Sequence, residues 1–215
     1  MNYLVYNKKS DNGHGCCTAK EKAKELEGYF GELKLLDSNT LDLNDFSKSL
    51  TAEDSLILCG GDGTINYFIN NVEELNELPY KFYFVESGTG NDFVRDLQKD
   101  EASGIYLINE YVKFLPTVEV KGKKYRFING IGFGIDGECC RVAEEQKAAG
   151  VEKIDYTAIT IKLLLFKYKR PKATVILDDG EEKHFNKVYL ASVMNGQYYG
   201  GGMQVAPAPQ RRSGE

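Results

Sequence analysis

Two glycine-rich stretches carry the residues whose types and spacing point most directly to chemistry. In "SLILCGGDGTIN", four apolar residues run into Gly60 and Gly61, then Asp62, a third glycine and Thr64, and a helical pattern follows. The second stretch, "ESGTGNDF", follows the apolar run "KFYFV". Glycines let backbone N–H groups approach a ligand closely, and a helix N-terminus attracts phosphate. The two stretches therefore indicate a phosphate-binding site, with glycines that only make tight turns as the alternative.

Asp62 poses an electrostatic problem, because a carboxylate beside a polyphosphate is repulsive unless a cation lies between them. Magnesium takes one or two carboxylates together with phosphate oxygens, so Asp62 is predicted to hold Mg²⁺, with Asp92 serving the same ion. A helix N-cap is the alternative for Asp62, and the two roles are compatible. The sequence contains no Walker A motif and no set of protein-kinase motifs, which indicates a different design for phosphoryl transfer.

The elements that must position these loops alternate between strand and helix. Apolar runs predict four strands, at 3–6, 33–36, 55–59 and 81–85. Between them, four helices are predicted: from Thr18 (with Glu21 in a capping box) to about Tyr29, from Asp42 to Leu50, over 65–72 and through Leu97. This alternation predicts a parallel α/β sheet with helices on both faces.

Ligands of parallel α/β sheets bind at the carboxyl ends of the strands. Four loops are predicted to share that edge, at 7–13, around Thr40, at 60–64 and at 87–92.

The second half of the chain is predicted to be β-rich. Hairpins are expected around residues 121–123 and at Asp179–Gly180, with helices near 138–148 and 156–168 between them. The composition changes at Leu115–Pro116, which predicts an α/β nucleotide-binding domain over 1–115 and a β-sandwich domain over 116–215.

Composition excludes several classes of protein. The net charge of -5 over 215 residues, without a basic stripe, argues against binding to nucleic acid. Adjacent cysteine pairs make poor disulfide frameworks, so a reducing, cytoplasmic setting is the simpler interpretation. The longest apolar run, within "KLLLFKY", is too short to cross a bilayer.

The two glycine stretches resemble the diacylglycerol kinase catalytic-domain family, soluble bacterial lipid kinases related to sphingosine kinases. The resemblance continues through "NGIGFGIDG" at 129–137 and "NGQYYGGGMQVAPAP" at 195–209, in order and along essentially the whole chain. It implies an NAD-kinase-like α/β domain followed by a β-sandwich domain, ATP and Mg²⁺ as cofactors, and catalysis through Asp62. The residues implied to contact ATP are Asn7, Ser10, Thr40, Gly60, Gly61, Asp62, Gly63, Thr64, Ile65, Asn66, Gly88, Thr89 and Asn91.

The chain departs from the family pattern near its end. Where the family carries an aspartate that holds a second magnesium, this sequence has Ser213, and Glu215 is the substitute considered. The family's general-base glutamate lies further on, so residues 1–215 are expected to be part of a longer protein, and the β-rich domain over 116–215, which the resemblance implies to be lipid-binding, is expected to be incomplete.

The resemblance implies an ATP-dependent kinase of a lipid hydroxyl, most directly diacylglycerol converted to phosphatidic acid in phospholipid biosynthesis. The enzyme would be cytoplasmic and would visit the membrane surface; a homodimer is left open. The alternatives are a kinase of a sphingoid or other long-chain alcohol, and a non-catalytic nucleotide- or lipid-sensing homologue.

Overall fold

The protein contains a five-stranded sheet with helices on both faces. The structure is a computed structural model that describes residues 1–10, 14–87, 91–97, 104–151, 154–209 and 211, without the side chains of 166 and 167. The strand order is β2-β1-β3-β4-β5, and β1 to β4 are parallel. These strands are β1 (Asn2–Tyr6), β2 (Leu33–Asp37), β3 (Ser55–Gly60), β4 (Lys81–Glu86) and β5 (Ile105–Leu107). The predicted parallel α/β fold is confirmed.

Four helices connect the strands and cover the sheet: α1 (Gly15–Phe30), α2 (Leu43–Ser49), α3 (Asp62–Asn71) and α4 (Asp92–Asp96). Alternate residues of the central strands enter two apolar cores. Leu4, Ile57 and Val85 pack with Ala19, Ala23 and Leu26 of α1. Val5, Leu58 and Phe84 lie on the other face, in a larger core with Ile65, Phe68 and Ile69 of α3. Because β3 is buried on both faces, its sequence is continuously apolar.

The predicted start of α1 at a Thr18 capping box is wrong. The helix begins at Gly15, after His14, and Thr18 lies inside it, with its hydroxyl donating to the carbonyl of His14 at 3.4 Å. Close packing sets this start, because a Cβ on Gly15 would lie 2.1 Å from the carbonyl oxygen of Asn7. By contrast, α2 begins as predicted, with the Asp42 carboxylate accepting from the N–H groups of Asn44 and Asp45.

Two further elements, β5 and α3, differ from the sequence interpretation. β5 was not predicted, and it runs antiparallel to β4; at three residues it is too short for a periodic signal. α3 begins at Asp62 rather than at Ile65. Its first turn carries no apolar residue except at Ile65, so hydrophobic spacing could not reveal that turn.

The chain forms two compact units, one of residues Met1–Gly130 and Met194–Glu215, the other of Ile131–Val193. Besides the sheet, the first contains the hairpin of β6 (Thr117–Val120) and β7 (Lys123–Arg126), which confirms the prediction there. It also contains a small hairpin of β12 (Tyr198–Tyr199) and β13 (Met203–Gln204), within the glycine-rich stretch. The domain boundary at residues 115 and 116 stays a prediction.

The second unit combines helices with antiparallel strand pairs. Its helices are α5 (Ile135–Ala148) and α6 (Tyr156–Lys162), which continues as a π-helical segment, Leu163–Lys167. β9 (Ala173–Ile176) pairs with β10 (Glu182–Phe185) in the predicted hairpin, and β8 (Gly130–Gly134) pairs with β11 (Leu190–Met194). Ile135, Cys139 and Ala143 of α5 pack on Ile159 and Leu163. Within the described residues, no helix is long and apolar enough to cross a bilayer.

Candidate active site

The carboxyl ends of β1 to β4 lie along one edge of the sheet, so the loops that follow them are neighbours. The N–H of Ser38 donates to the carbonyl of Tyr6 at 2.8 Å, which joins the ends of β1 and β2. The N–H of Ser87 donates to the carbonyl of Gly60 at 3.0 Å, which joins the ends of β3 and β4. Within the described residues, the four predicted loops therefore begin at the same edge of the sheet.

The two glycines at the end of β3, Gly60 and Gly61, serve different purposes. Gly61 is the N-cap of α3 in an extended conformation, and its carbonyl accepts from the N–H groups of Thr64 and Ile65. The first N–H groups of any α-helix have no partner within the helix, so those of α3 point toward the loops at this edge. Gly60 instead makes room for a side chain, because a Cβ there would lie 2.4 Å from Cβ of Thr64. The first turn of α3 thereby packs directly against β3 through the side chain of Thr64.

Asp62, in the first turn of α3, caps a different helix from its own. Its Oδ2 accepts from the N–H of Asp92 at 2.8 Å, and its Oδ1 accepts from the N–H of Phe93 at 2.9 Å, so the carboxylate closes the N-terminus of α4. The Nδ2 of Asn129 donates to Oδ1 at 3.1 Å as a third hydrogen bond. The alternative role of Asp62 as the N-cap of α3 is wrong, because Gly61 holds that position.

Burial raises the pKa of Asp62 above its usual value. The three donors favour the ionised form and offset part of the burial, whereas the neighbouring Asp92 carboxylate opposes ionisation. The arrangement holds a negative charge where solvation is poor, beside the positive end of α3. A cation beside Asp62 would relieve this cost, because it stabilises the charged form.

Asp92 offers a second carboxylate in the same region. The residue is 5% exposed, and its Oδ2 accepts from the N–H of Gly201 at 3.0 Å. Its Oδ1 is buried and has no hydrogen-bond partner among the described atoms. A buried carboxylate oxygen without a donor is costly, so it suits a cation or an ordered water.

These two carboxylates fit the requirements of Mg²⁺. The ion is usually held by one or two protein carboxylates, with water and phosphate oxygens completing its coordination. No cluster of three or more Asp, Glu, His or Cys side chains capable of holding a metal occurs in the described part of the chain. The donor set therefore fits a magnesium ion that a phosphate ligand would share, rather than one enclosed by protein.

The far end of α3 is held by Arg126 of β7. Its guanidinium donates to the carbonyl oxygens of Ile69 at 2.9 Å, Val72 at 2.7 Å and Glu73 at 2.7 Å. The last turn of α3 contains no basic residue of its own, and a cation is favourable at the negative end of a helix. Arg126 thus stabilises the helix whose other end carries Asp62.

A second group of polar residues joins the loops after β1 and β2. The Oδ1 of Asn7 accepts from the Nδ2 of Asn39 at 2.8 Å, and the hydroxyl of Ser10 donates to the carbonyl of Asn7 at 2.6 Å. The hydroxyl of Thr40 donates to the carbonyl of Asp37 at 3.0 Å. Hydrogen bonds from Asn39 and Lys8 outweigh burial and lower the pKa of Asp37. Asn7, Ser10 and Thr40 therefore lie at the predicted edge, with their side chains engaged in turns.

The other predicted residues fall into three groups. Gly63 and Asn66 are exposed on α3, whereas the side chain of Ile65 is fully buried in the core and its N–H donates to the carbonyl of Gly61. Asn91 is the N-cap residue of α4, and its Nδ2 donates to Glu86 at 2.9 Å. Gly88, Thr89, Ser213 and Glu215 lie outside the described residues.

The sequence interpretation missed several residues that surround α4. Asp96 accepts from the N–H of Gln197 at 2.9 Å, so two carboxylates of α4, Asp92 and Asp96, hold the glycine-rich stretch. Asp96 also forms an ion pair with Arg211. Asn129 is the first residue of "NGIGFGIDG", so the family resemblance marked this stretch, but no local pattern indicated a role for the Asn129 side chain. Arg211 lies 115 residues from its partner Asp96, and no local pattern predicts such a pairing.

Comparison with known proteins identifies the family. The model of the diacylglycerol kinase catalytic domain matches residues 2–113, and the model described as "YegS C-terminal NAD kinase beta sandwich-like domain" matches residues 129–215. The chain belongs to the diacylglycerol kinase catalytic-domain family, a family of lipid kinases, with a parallel α/β domain followed by a β-sandwich domain. The predicted family and fold are confirmed.

Curated relatives are similar at low identity. The chain is 25% identical to "Putative lipid kinase YtlR" of Bacillus subtilis over 174 residues, covering 73% of this chain and 54% of that protein. It is 27% identical to "Putative lipid kinase SERP0390" of Staphylococcus epidermidis over 192 residues, covering 85% and 61%. The chain thus spans little more than half the length of these relatives.

Solved structures share the fold. A "putative diacylglycerol kinase from Bacillus anthracis str. Sterne" superposes with a TM-score of 0.62 at 21% identity, covering 97% of this chain and 69% of that one. A second structure from that organism, described as a diacylglycerol kinase, superposes with a TM-score of 0.56 at 24% identity, covering 94% of this chain and 66% of that one.

Proposed function

We propose that the protein is an ATP-dependent lipid kinase that transfers the γ-phosphoryl group of Mg²⁺·ATP to a lipid hydroxyl, most directly that of diacylglycerol. The observation that carries the proposal is the juxtaposition, at the carboxyl edge of the parallel strands, of the α3 N-terminus with two carboxylates, the half-buried Asp62 and the buried Asp92. Asp62 accepts three hydrogen bonds there, and Asp92 retains an oxygen without a partner among the described atoms. Membership of a lipid kinase family supports the choice of reaction.

The chain's own residues would bind and orient the nucleotide. The first N–H groups of α3, at Asp62 and Gly63, would donate to phosphate oxygens, as helix N-termini do in other nucleotide sites. Gly88, Thr89 and Asn91 would complete the phosphate surface, and Asn7, Ser10 and Thr40 would line the next part of the edge. Asp62 and Asp92 would hold Mg²⁺, which supplies neutralisation of phosphate charge when bound.

The second compact unit offers a surface suited to a membrane. Ile161, Leu164 and Leu165 are 49–66% exposed along α6 and the π-helical segment. Lys162, Lys169 and Arg170 accompany them in sequence. An exposed apolar face with basic neighbours favours contact with an anionic bilayer. We infer that the protein visits the membrane surface to reach its lipid.

Binding of Mg²⁺·ATP can be tested by thermal unfolding. A ligand at 100 times its dissociation constant stabilises the folded state by about 2.7 kcal/mol, which raises the Tm of a chain this size by about 5–11 °C. Gly61→Val is the matched variant, because the backbone of Gly61 (φ -113°, ψ -168°) is extended with a negative φ, so a side chain there meets no left-handed strain. The variant is expected to keep its Tm without ligand and to lose the shift, since the branched side chain blocks approach to the loop.

Phosphoryl transfer is tested with labelled ATP and mixed micelles that contain diacylglycerol, sphingosine or a long-chain alcohol. Labelled product with diacylglycerol supports the proposed reaction, and label in another lipid reassigns the substrate. A Tm shift without transfer to any lipid would instead support a nucleotide-sensing homologue. The occupied hydrogen-bonding positions of Asp62 are the observation that favours this second candidate. Absence of both the shift and the product would refute the proposal.

A further inference from the structure

Arg211 is a buried cation that contacts three separate segments of the chain. Its side chain is 8% exposed, and its guanidinium pairs with the carboxylate of Asp96, whose side chain is 5% exposed. It also donates to the carbonyl of Ile128 and, at 3.0 Å, to the Oδ1 of Asn129. The guanidinium carbon lies 5.1 Å from the centre of the Phe93 ring. A Cβ on Gly196 would overlap the guanidinium, so the glycine-rich stretch is built around this charge.

The contact with Asn129 links Arg211 to Asp62. An amide group has an oxygen that accepts and a nitrogen that donates, so fixing one fixes the other. Because Arg211 donates to the Oδ1 of Asn129, the Nδ2 of the same amide faces the Oδ1 of Asp62, at 3.1 Å. Arg211 also holds Asp96 at the end of α4, the helix whose first N–H groups bind Asp62.

We propose that Arg211 is a positioning residue for Asp62, acting through the orientation of Asn129. The Arg211 guanidinium thereby places a fixed positive charge among three acidic residues of this region, Asp62, Asp92 and Asp96. This inference rests on the proposed function, because it assigns Arg211 a role in binding of Mg²⁺·ATP. Neither Arg211 nor Asn129 belongs to the predicted phosphate-binding loops, and the family comparison assigns no role to either residue.

The test is a double-mutant cycle on Arg211 and Asn129, with the Kd of Mg²⁺·ATP measured by titration calorimetry on folded protein. Arg211→Lys keeps the charge and its ion pair with Asp96, but a single ammonium cannot reproduce the fork of hydrogen bonds. Loss of a partner that orients a metal-binding carboxylate weakens metal affinity by about 10-fold or more, so the Kd is expected to rise by that factor. In an Asn129→Ala background, Arg211→Lys is expected to change the Kd by less than about 2-fold.

Two controls separate positioning from general destabilisation. Arg141→Met removes an arginine that pairs with Glu138 and Glu145 on the exposed face of α5, and it is expected to leave the Kd unchanged. Asn129→Ala leaves the ion pair of Arg211 and Asp96 in place, so it reports on the link to Asp62 even where Arg211 variants unfold. It is expected to raise the Kd by about 10-fold as well.

The outcomes distinguish this inference from the proposed function. Failure of the unaltered protein to bind Mg²⁺·ATP refutes the proposed function and, with it, the role of Arg211. Binding by the unaltered protein with an unchanged Kd in Arg211→Lys refutes the positioning role alone. Equal effects of Arg211→Lys with and without Asn129 also refute it, because the two residues would then act independently.

Discussion

Two glycines that lie three residues apart, Gly60 and Gly63, are expected to respond in opposite ways to the same substitution. Gly60 ends β3, and a Cβ built on it would lie 2.2 Å from Oγ1 and 2.4 Å from Cβ of Thr64. Gly63 lies in the first turn of α3, and a Cβ built on it meets nothing within 4 Å. The pair therefore tests whether Thr64 seats α3 on the sheet.

The magnitudes follow from these distances. Carbon atoms pack at about 3.5–4.0 Å, so Gly60→Ala forces the first turn of α3 to move by about 1 Å or more. Overpacking of this kind costs about 1–3 kcal/mol. The movement also loosens the hydrogen bonds of Asp62 to α4, and each bond to a charged group contributes about 1.5–3 kcal/mol. We expect a loss of about 3–5 kcal/mol, which lowers the Tm by about 6–20 °C.

Gly63→Ala is expected to stabilise the protein. Alanine restricts the unfolded chain more than glycine does, which contributes about 0.4–1 kcal/mol where the native conformation suits it, and so raises the Tm by about 1–4 °C. Differential scanning fluorimetry of both variants provides the comparison. Thr64→Ala is not expected to rescue Gly60→Ala, because the clashing Cβ remains, whereas Thr64→Gly is expected to rescue it partly. The expected decrease in Tm for Gly60→Ala is at least ~6 °C, so a decrease of less than about 2 °C refutes the reasoning.

Three further predictions concern charged groups. Asp62→Asn removes the charge and replaces one accepting oxygen with an amide nitrogen that cannot accept, so the apo protein is expected to lose about 1.5–3 kcal/mol of stability, while lipid phosphorylation falls by about 10²-fold or more. Arg126→Met removes three hydrogen bonds to the carbonyl end of α3 and is expected to cost about 1–3 kcal/mol in urea unfolding. The pKa of Asp54 is lowered to about 2, mainly by its hydrogen bond with the terminal amine of Met1. Its contribution to stability is therefore present above its unfolded pKa and lost as the pH falls toward 2, so urea unfolding of Asp54→Asn and the unaltered protein is expected to converge between about pH 4 and pH 2.

The central sheet could be predicted because its signals are local. The four apolar residues of β3 and the alternation of strand and helix reveal a parallel sheet without any knowledge of tertiary contacts. The N-cap Asp42 marks the start of α2 for the same reason. Local signals failed where packing sets the start of a helix. α1 begins at Gly15, which packs on the loop after β1, and a capping pattern does not encode that contact.

The candidate site was predictable only in part. Asp62 and Asp92 each follow a strand, and neighbouring parallel strands bring such residues to one edge, so their proximity follows from topology. Asn129 and Arg211 lie 67 and 149 residues after Asp62 in the chain. Their contacts depend on how later segments return to α4, and a buried amide or guanidinium has no periodic pattern that would mark it.

The position of Asp62 explains how a carboxylate persists in the glycine-rich loop at the end of β3. Three N–H donors from α4 and Asn129 stabilise its charge, yet burial still raises its pKa, so the protein holds the ionised group at a cost. That cost is lowest when a cation lies beside the carboxylate, since the cation favours the charged form. Because the donors belong to segments that are distant in sequence, the charge of Asp62 depends on tertiary structure. A substitution that moves α4 or turns the amide of Asn129 is therefore expected to weaken metal binding at Asp62 more than it changes the conformation of the glycine-rich loops.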